Sequence, residues 1–434
     1  MNHARADALA ARHQLLSQGW ISARDESFRH LPPPALAVWL PDEAADEPRR
    51  CDAPALAGSG WTLHPIGDAN RGRVDARWLD ATDTAQRAEL FAGLEWPKHG
   101  SAASFALAHR ATCRQGLRLR IGGTPSPEAG SSEAVWLHLR HQPRHTVESP
   151  TLVIELLPGE HGVLLESHER DNPAPDQCGC ARAVTQNLRI HIRLGAGATL
   201  RHVRLISPGA DDCLAHGVVA QLDADARYDQ VSLLGGSRYH LQRTEIDLQA
   251  PRAEARTATA MLIHNLALEH QVRVTHTATH THSSVEAQAL ASGSAHGVLH
   301  AHTRMAPACD EAIARQRLNA TPTGGQPKLV LRPHMEIHHD NIQATHGATW
   351  GALPEDALFY ARQRGLSEVE ARALILKGWL AAMFERCVDN PDLLSQLAVD
   401  AALNRAVERH LSGARLLGTT DTPDIPQRLE VPHA

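Results

Sequence analysis

The stretch LRIHIRLGAGATLRHVRLI, residues 188–206, decides the fold class of this chain. On both sides of the short turn GAGA, apolar residues alternate with Arg and His at a period of two. Alternation of this kind is typical of β-strands that bury one face. The same alternation of apolar and polar residues recurs from about residue 115 to residue 351. Turn-like breaks interrupt it at 158–162, 195–198, 222–226, 250–255 and 292–297.

More than two hundred residues of short strands, with no helical pattern between them, argue against a doubly wound α/β sheet. A sandwich, a barrel and a solenoid of stacked strands remain open. The segment is long for one sandwich. Aromatic residues make up only 4% of the chain, which suits a narrow core of Val, Leu, Ile and Ala. Of the three architectures, the pattern favours a β-helix.

Both ends of the chain have a helical period instead. Pro354 lies where the first turn of a helix tolerates proline, and Gly365 is placed to end that helix. Ser367-x-x-Glu370 is a capping box that opens the next one. The predicted helices are 3–17, 82–94, 354–364, a helix from 367 and one at about 392–411. The predicted domains are a mainly helical one at 1–112, the β-core at 113–351, a helical one at 352–412 and a loose tail at 413–434.

Composition limits the partners and the compartment. The formal net charge of −6 comes from 43 basic and 49 acidic residues without a long single-sign block, so no nucleic-acid or anionic-membrane partner is expected. The chain has no apolar run of membrane-spanning length, and its first twenty residues lack a signal-peptide core. Its seven cysteines are irregularly spaced and are expected to be reduced thiols. These features predict a cytoplasmic protein.

One motif suggests a metalloenzyme. His280-x-His282-x3-Glu286, followed by Gly293, resembles part of the first cupin motif, in which two histidines and a glutamate bind a divalent metal. The usual leading glycine is replaced by Val274, and no second cupin motif follows. Nucleotide-binding and common hydrolase motifs are absent from the sequence, so the chain itself is not expected to bind a nucleotide. A cupin-like enzyme stays an alternative.

Residues 334–351, HMEIHHDNIQATHGATWG, hold four histidines: His334, His338, His339 and His346. Imidazole is a common ligand for transition metals. His346 precedes Gly-Ala at the last turn of the predicted β-core, where the backbone is partly open. A metal ligand and a turn histidine that satisfies local backbone groups are both compatible with this pattern, and the other three are expected to face solvent.

The segments HMEIHHD, THGATWG and LPEDALFYARQRGLSEVEARALI, within 334–375, resemble the SufB/SufD family of iron–sulfur cluster assembly proteins. That family has a K-P-x-L-E-I segment, a [C/T/S]-H-G-A-T-x-G turn and a helix of the type L-x-E-E-A-L-F-Y-L-R-S-R-G-I. Weaker similarity extends over about 115–390. The His-Gly-Ala turn, without a cysteine between 310 and 386, is similar to the SufD branch rather than the SufB branch.

The resemblance implies a right-handed parallel β-helix between two helical domains. It also implies a non-catalytic subunit of a SufBCD-type complex, paired with a SufB-like subunit through the β-helix, with ATP hydrolysis supplied by a SufC-like ABC ATPase. His346 is then expected to bind a transient iron–sulfur cluster or iron at the SufB-like interface; many relatives have Cys at position 344, where this chain has Ala344. The expected ATPase-binding residues are Phe359, Tyr360, Arg364 and Gly365. Whether flavin takes part is left open.

Overall fold

The computed structural model describes residues 3–22, 25–41, 60–66, 73–97, 101–123, 134–170 and 183–413. Its helices are α1 His3–Gln18, α2 Leu36–Trp39, α3 Thr84–Phe91, α4 Ser101–Thr112, α5 Glu355–Gln363, α6 Glu368–Val388, α7 Pro391–Gln396 and α8 Val399–Leu411, with a 3₁₀ turn at Glu26–Phe28.

The strands fall in three groups along the chain. The first group is β1 Trp61–Pro65, β2 Val74–Asp80, β3 Gln115–Ile121, β4 Val135–His141, β5 Val147–Glu148, β6 Thr151–Leu156 and β7 His161–His168. The second is β8 Thr185–Leu194, β9 Thr199–Ile206, β10 Cys213–Leu222, β11 Arg227–Gly235, β12 Tyr239–Leu248 and β13 Glu254–His264. The third is β14 Ala267–His276, β15 His282–Gly293, β16 His296–Met305, β17 Ala312–Gly325, β18 Lys328–Ile337 and β19 Ile342–Trp350.

From β6 to β19 successive long strands alternate between two sheets, so each pair of strands forms one turn of a solenoid. Within the described residues one sheet runs β1-β4-β7-β9-β11-β13-β15-β17-β19 and the other β18-β16-β14-β12-β10-β8-β6-β3-β2, with β5 beside β8. All pairs among the long strands of the core are parallel, for example Cys213–Leu222 of β10 against Thr185–Leu194 of β8. The predicted parallel β-helix is confirmed.

The turns that join the two sheets stack on one another, and each carries a residue in the left-handed region. Gly197 has a φ of +70°, and Asp225, Arg252 and His280 have φ values of 56°, 60° and 57°. Each of them donates its backbone N–H to a carbonyl of the next turn, as Gly197 does to Ala224 and His280 does to Asp310, both at 2.8 Å. The predicted breaks at 195–198, 222–226 and 250–255 are these turns.

Helices cover the outward faces of both sheets. Helices α6 and α8 pack on the nine-stranded sheet, where Val203, Leu205 and Val231 are buried against Leu380 and Phe384. The N-terminal helices cover the ten-stranded sheet through a second cluster that includes Phe28, Trp39, Phe105, Tyr239 and Leu241. The solenoid is therefore closed on its flanks.

Three local features differ from the sequence-based expectations. The first hundred residues also contain β1 and β2, which pair antiparallel with β4 and β3 and extend the sheets at their first edge. The helix predicted at 392–411 is two helices, because Ala398 takes a left-handed φ of 52° between α7 and α8. The predicted tail beyond Gly413 lies outside the described residues.

Two further observations concern the compartment. Among the described residues, no helix is both long enough and apolar enough to cross a membrane. The cysteines within the described ranges are buried free thiols, namely Cys113, Cys213, Cys309 and Cys387.

Candidate functional site

The solenoid ends in a turn, β18 and β19, that no described helix or strand covers. The row of side chains that points into the solenoid continues onto this turn, because Leu318 and Ala320 of β17 lie beside Ala348 and Trp350 of β19. In the preceding turns this row is buried, whereas Trp350 is 64% exposed. We call the surface formed by β18 and β19 the open end.

Within the described ranges, the backbone of the open end is unpaired along both outer edges. In β19 the N–H of Gly351 binds the carbonyl of Ala320, so the backbone groups of odd-numbered residues bond to β17. The backbone N–H and C=O of even-numbered residues, including His346, point away from β17. In β18 the N–H of Lys328 binds the carbonyl of Ala295, so there the backbone groups of the odd-numbered residues point toward the free edge. One of these is Pro333, which has no N–H to offer. Unpaired strand edges are templates for another chain.

His346 lies at the middle of β19 and is exposed. It pairs in register with Gln316 of β17, and Gln316 reaches across the interior to Thr303 of β16 at 2.8 Å. Side chains of register partners in a sheet share one face, so His346 belongs to the inward-facing row. No hydrogen bond or ion pair occupies its imidazole in the described part of the chain, which leaves both ring nitrogens available.

The other three histidines of 334–351 lie on the outward side of the open end. His334 packs edge-on against His302, with ring centroids 4.7 Å apart. His338 lies 3.0 Å from a carboxylate oxygen of Glu336 and is 43% exposed at its side chain, and His339 lies 4.0 Å from Asp310. They are solvent-facing, and the structure does not bring them together with His346.

The cupin-type triplet does not converge. His280 lies in a stacked turn, where its ring is 3.2 Å from Glu311. His282 and Glu286 point outward from β15 but are four residues apart, roughly 13 Å along a strand. Glu286 pairs with Arg386 of α6 at 2.8 Å. Within the described ranges, no group of three His, Cys, Asp or Glu residues is placed to hold a metal ion.

The predicted ATPase-binding residues lie on α5 and the loop after it. Phe359 and Tyr360 are 65% and 59% exposed, so their alternative role as core residues is excluded. The guanidinium of Arg364 lies 3.4 Å from the centre of the Tyr360 ring, an arrangement that favours cation–π attraction. Gly365 has a φ of +88°, which fits its predicted place at the end of the helix.

Helix α6 follows α5 along the chain and also has exposed apolar residues. Its capping box is present as predicted, with Ser367 and Glu370 each bonded to the other's backbone N–H. The helical period predicts one face with Leu376, Trp379, Leu380 and Met383; Leu376, Leu380 and Met383 are buried, whereas Trp379 is 37% exposed. Val369, Leu374 and Trp379 are exposed, together with Phe359 and Tyr360 of α5. Val369, Leu374 and Trp379 follow one another at intervals of five residues, about 140° around a helix, so they do not share one face of α6. We call Phe359 and Tyr360 the C-terminal apolar patch; exposed large apolar side chains of this kind often mark a protein interface.

Two parts of this arrangement were not predicted from the sequence. In the sequence Gln316 is one polar residue of an alternating strand, and its inward orientation follows only from the register of β17 with β15 and β19. The exposure of Val369 and Leu374 depends on which face of α6 the solenoid covers. The change of period at Gly351 does mark where the solenoid ends, and so indicates that the strand before it is an outer one.

Comparison with known proteins identifies relatives for most of the solenoid. The family model described as SUF system FeS cluster assembly, SufBD core domain, matches residues 139–379. An iron–sulfur cluster assembly SufBD family protein of Synechocystis sp. is 27% identical over 218 residues, which are 46% of this chain and 44% of that protein. The iron–sulfur cluster assembly protein SufD of Escherichia coli is 23% identical over 204 residues, which are 46% of this chain and 48% of that protein.

A SufBD family protein of Mycobacterium tuberculosis is 32% identical over 82 residues, which are 19% of this chain and 9% of that protein. The chain thus spans about half the length, or less, of the curated relatives it matches. The match with the family model covers more than half of the chain and includes the open end, α5 and part of α6.

Proposed function

The chain belongs to the SufBD family of iron–sulfur cluster assembly proteins, and from this membership we propose that it is a non-catalytic scaffold subunit on which nascent clusters are built. Its role is to present part of a cluster-binding site and to join two other proteins. The open end is the observation that carries this proposal, since it combines unpaired strand edges, uncovered apolar side chains and a free imidazole.

The open end pairs with a SufB-like subunit. Trp350 and Ile337, which are 64% and 47% exposed, would be buried by a partner that continues the solenoid core. The uninterrupted edge of β19 supports strand addition, because every even-numbered residue from Ile342 to Trp350 offers both backbone groups. Pro333 interrupts the matching edge of β18. The resulting heterodimer places His346 inside the interface.

His346 is the ligand that this chain contributes to the cluster, which is the cargo of the complex. Imidazole can replace thiolate at iron in iron–sulfur centres. One imidazole does not complete the coordination of a cluster iron, so the SufB-like partner supplies the remaining thiolate and carboxylate ligands. Cluster binding then depends on both chains.

The C-terminal apolar patch binds a SufC-like ABC ATPase. Exposed aromatic residues near an Arg are typical anchors of protein interfaces, and Phe359, Tyr360 and Arg364 form such a group. The chain itself has no Walker A motif, so ATP hydrolysis resides in this partner. A conformational change in the ATPase is transmitted to the open end through α6, which packs on the solenoid.

Co-expression with the genomic neighbours tests the proposal. The tagged chain is expected to co-purify an ABC-type ATPase and a cysteine-bearing homologue, and the reconstituted complex is expected to assemble a cluster from iron, a sulfide source and ATP. A monomer that holds one metal ion, lost in His280→Ala but kept in His346→Ala, would support the cupin-like alternative and overturn the scaffold role.

The His346→Ala variant is expected to fold and to form the complex, while the amount of assembled cluster falls about tenfold or more, because one iron ligand is lost. The exposed position of His346 makes a folding defect unexpected. Visible absorption of the anaerobically reconstituted complex measures the cluster. His338→Ala, at an exposed histidine eight residues away, is the matched control and should assemble normally. Normal assembly in His346→Ala would remove the ligand role.

Truncating the C-terminal apolar patch should uncouple the ATPase. In Phe359→Ala/Tyr360→Ala the affinity for the ATPase subunit is expected to fall by about 30-fold or more, since truncating even one buried aromatic anchor costs about 2 kcal/mol or more. Calorimetry or surface plasmon resonance measures the affinity. The control is Leu16→Ala, an equally exposed apolar residue on α1. Equal affinities in both variants would place the ATPase elsewhere.

A further inference from the structure

We propose that Gln316 is a positioning residue for His346: its unpaired side-chain carbonyl accepts a hydrogen bond when the free imidazole turns toward it, and so determines which ring nitrogen faces the partner. The hydrogen bond is a property of this chain alone. Only the role of the other ring nitrogen, as an iron ligand, rests on the proposed function.

The orientation of the Gln316 side chain is fixed by two acceptors. Its Nε2 lies 2.8 Å from Oγ1 of Thr303 and 3.0 Å from the backbone carbonyl of His334. The carbonyl of His334 can only accept, so flipping the amide would lose that bond and set two acceptor oxygens against each other. The oxygen Oε1 therefore points away from Thr303 and the His334 carbonyl.

That oxygen is a buried acceptor without a donor in the described structure. Gln316 is 4% exposed, and its Oε1 has no hydrogen-bond partner. Buried polar atoms in folded proteins are nearly always paired, because an unpaired one loses its hydration without compensation. A donor for Oε1 is expected within reach.

His346 is the donor that the register provides. Gln316 and His346 are opposite each other on adjacent parallel strands, about 4.8 Å apart, and both belong to the inward-facing row. On its other side Gln316 pairs with Val285, which has no donor, and its inward neighbours on β17 are the apolar residues Ala314 and Leu318. The imidazole N–H of His346 is thus the nearest side-chain donor along this row.

A neutral imidazole has one N–H and one lone pair. If the N–H is held by Gln316, the lone pair of the other nitrogen is directed away from the solenoid, toward the open end. Histidines that bind metals usually donate their second nitrogen to a neighbouring acceptor in this way, which fixes the tautomer and the ring orientation. Gln316 would so prepare His346 for iron before the partner arrives.

Histidine side-chain ¹⁵N spectra of the full chain at about pH 8 test this hydrogen bond, because the two tautomers have different ¹⁵N shifts. The His346 signals are assigned by their loss in His346→Gln. In the natural sequence one tautomer should dominate, and in Gln316→Leu its ratio to the other should fall about fivefold, the effect of one hydrogen bond. Gln316→Glu, which keeps an acceptor oxygen, should retain the dominant tautomer. The control is Gln343→Leu, on the outward face of β19, with no change expected.

Equal tautomer ratios in the natural sequence and in Gln316→Leu would overturn the positioning role, with circular dichroism used to verify that the variant is folded. The outcome for the proposed function is separate. If His346→Ala abolishes cluster assembly but Gln316→Leu leaves the tautomer unchanged, His346 is a ligand and Gln316 does not position it. If the tautomer responds to Gln316→Leu but His346→Ala assembles clusters normally, the hydrogen bond exists and the ligand role fails.

Discussion

Acidification from about pH 7 to about pH 5 is expected to destabilise this protein severely, because many histidines are buried in neutral form. The chain has 29 histidines. Burial lowers the pKa of His168 and His276 to about 4 and that of His191, His240 and His270 to about 3. These side chains lie in the solenoid or, for His191, on its outward face under the N-terminal segment.

The direction of the effect follows from proton binding. In the unfolded chain a histidine binds a proton below about pH 6.5. In the folded chain these five do so only near pH 4 or 3, so between pH 6.5 and pH 4 the unfolded state holds more protons. Stability therefore falls as the pH falls through that window.

Buried carboxyl groups with a raised pKa act in the opposite direction, and the two with the largest shifts are Glu269 and Asp229. Burial raises the pKa of Glu269 to about 7 and that of Asp229 to about 6. Between pH 7 and pH 5 the folded chain holds these protons while the unfolded chain releases them, so acidification favours the folded state at both sites. From pH 6.5 to pH 5 these five histidines lose about 8 kcal/mol, against a gain of about 3 kcal/mol from Glu269 and Asp229.

The net loss from these seven groups, about 5 kcal/mol, is comparable with the whole stability of a typical domain. Urea midpoints measured by circular dichroism at half-unit steps from pH 7.5 to pH 5 should fall throughout. His270→Leu removes one buried titrating group with an unpartnered Nδ1 and should flatten the profile, whereas His282→Gln, at an exposed position, should not. A profile that stays level down to pH 5 would contradict the neutral burial of these rings.

The solenoid could be predicted from the sequence because its signal is local. Residues 188–206 fold as predicted, with Ile190 and Ile192 of β8 in the core and a Gly-Ala turn leading to β9. The position of His346 at the end of the β-core could be predicted for the same reason, since the change of period follows at Gly351. The exposure of Phe359 agrees with the prediction for α5.

Which face of a strand points inward could not be predicted. In β9 the apolar residues Val203 and Leu205 point outward and are buried by the C-terminal helices, while His202 and Arg204 point into the solenoid. Alternation alone indicates that two faces differ, not which one is covered by a helix two hundred residues away. For the same reason the sequence gives no sign that Gln316 is buried beside His346. The strands β1 and β2 were not predicted, because they are defined by antiparallel pairing with β4 and β3 rather than by a pattern of their own.

The second large effect is expected at the polar band inside the solenoid. Glu166 of β7 is fully buried, and Arg204 of β9 holds both its carboxylate oxygens, with Nε and one terminal nitrogen at 2.8 and 2.9 Å. His202 and His168 lie 2.9 and 2.5 Å from the same carboxylate. Burial alone raises the pKa of Glu166, but the charge of Arg204 and the hydrogen bonds of His168 and His202 hold it well below its ordinary value.

Replacing Arg204 with Met leaves this carboxylate buried without its counter-charge. The free energy of unfolding should fall by about 3–5 kcal/mol, since a broken buried ion pair costs far more than an exposed one. The matched control is Arg252→Met, which breaks the exposed pair of Arg252 with Asp225, whose Nε–Oδ1 distance is 2.6 Å. That variant should unfold at nearly the same urea concentration as the natural sequence, since an exposed ion pair contributes little. Urea unfolding at about pH 7.5, followed by circular dichroism, measures both.

The double variant Glu166→Leu/Arg204→Met separates the charge effect from packing. It removes both ions and keeps the side chains apolar and similar in volume, so most of the loss caused by Arg204→Met alone should be recovered. Recovery should be incomplete, because Gln242 loses the bond that its Oε1 accepts from Arg204 at 2.9 Å, and His168 and His202 lose their acceptor Glu166. A buried polar atom left unpaired is costly. If the double variant is no more stable than Arg204→Met, the loss comes from the shape of the Arg204 site and not from the ion pair.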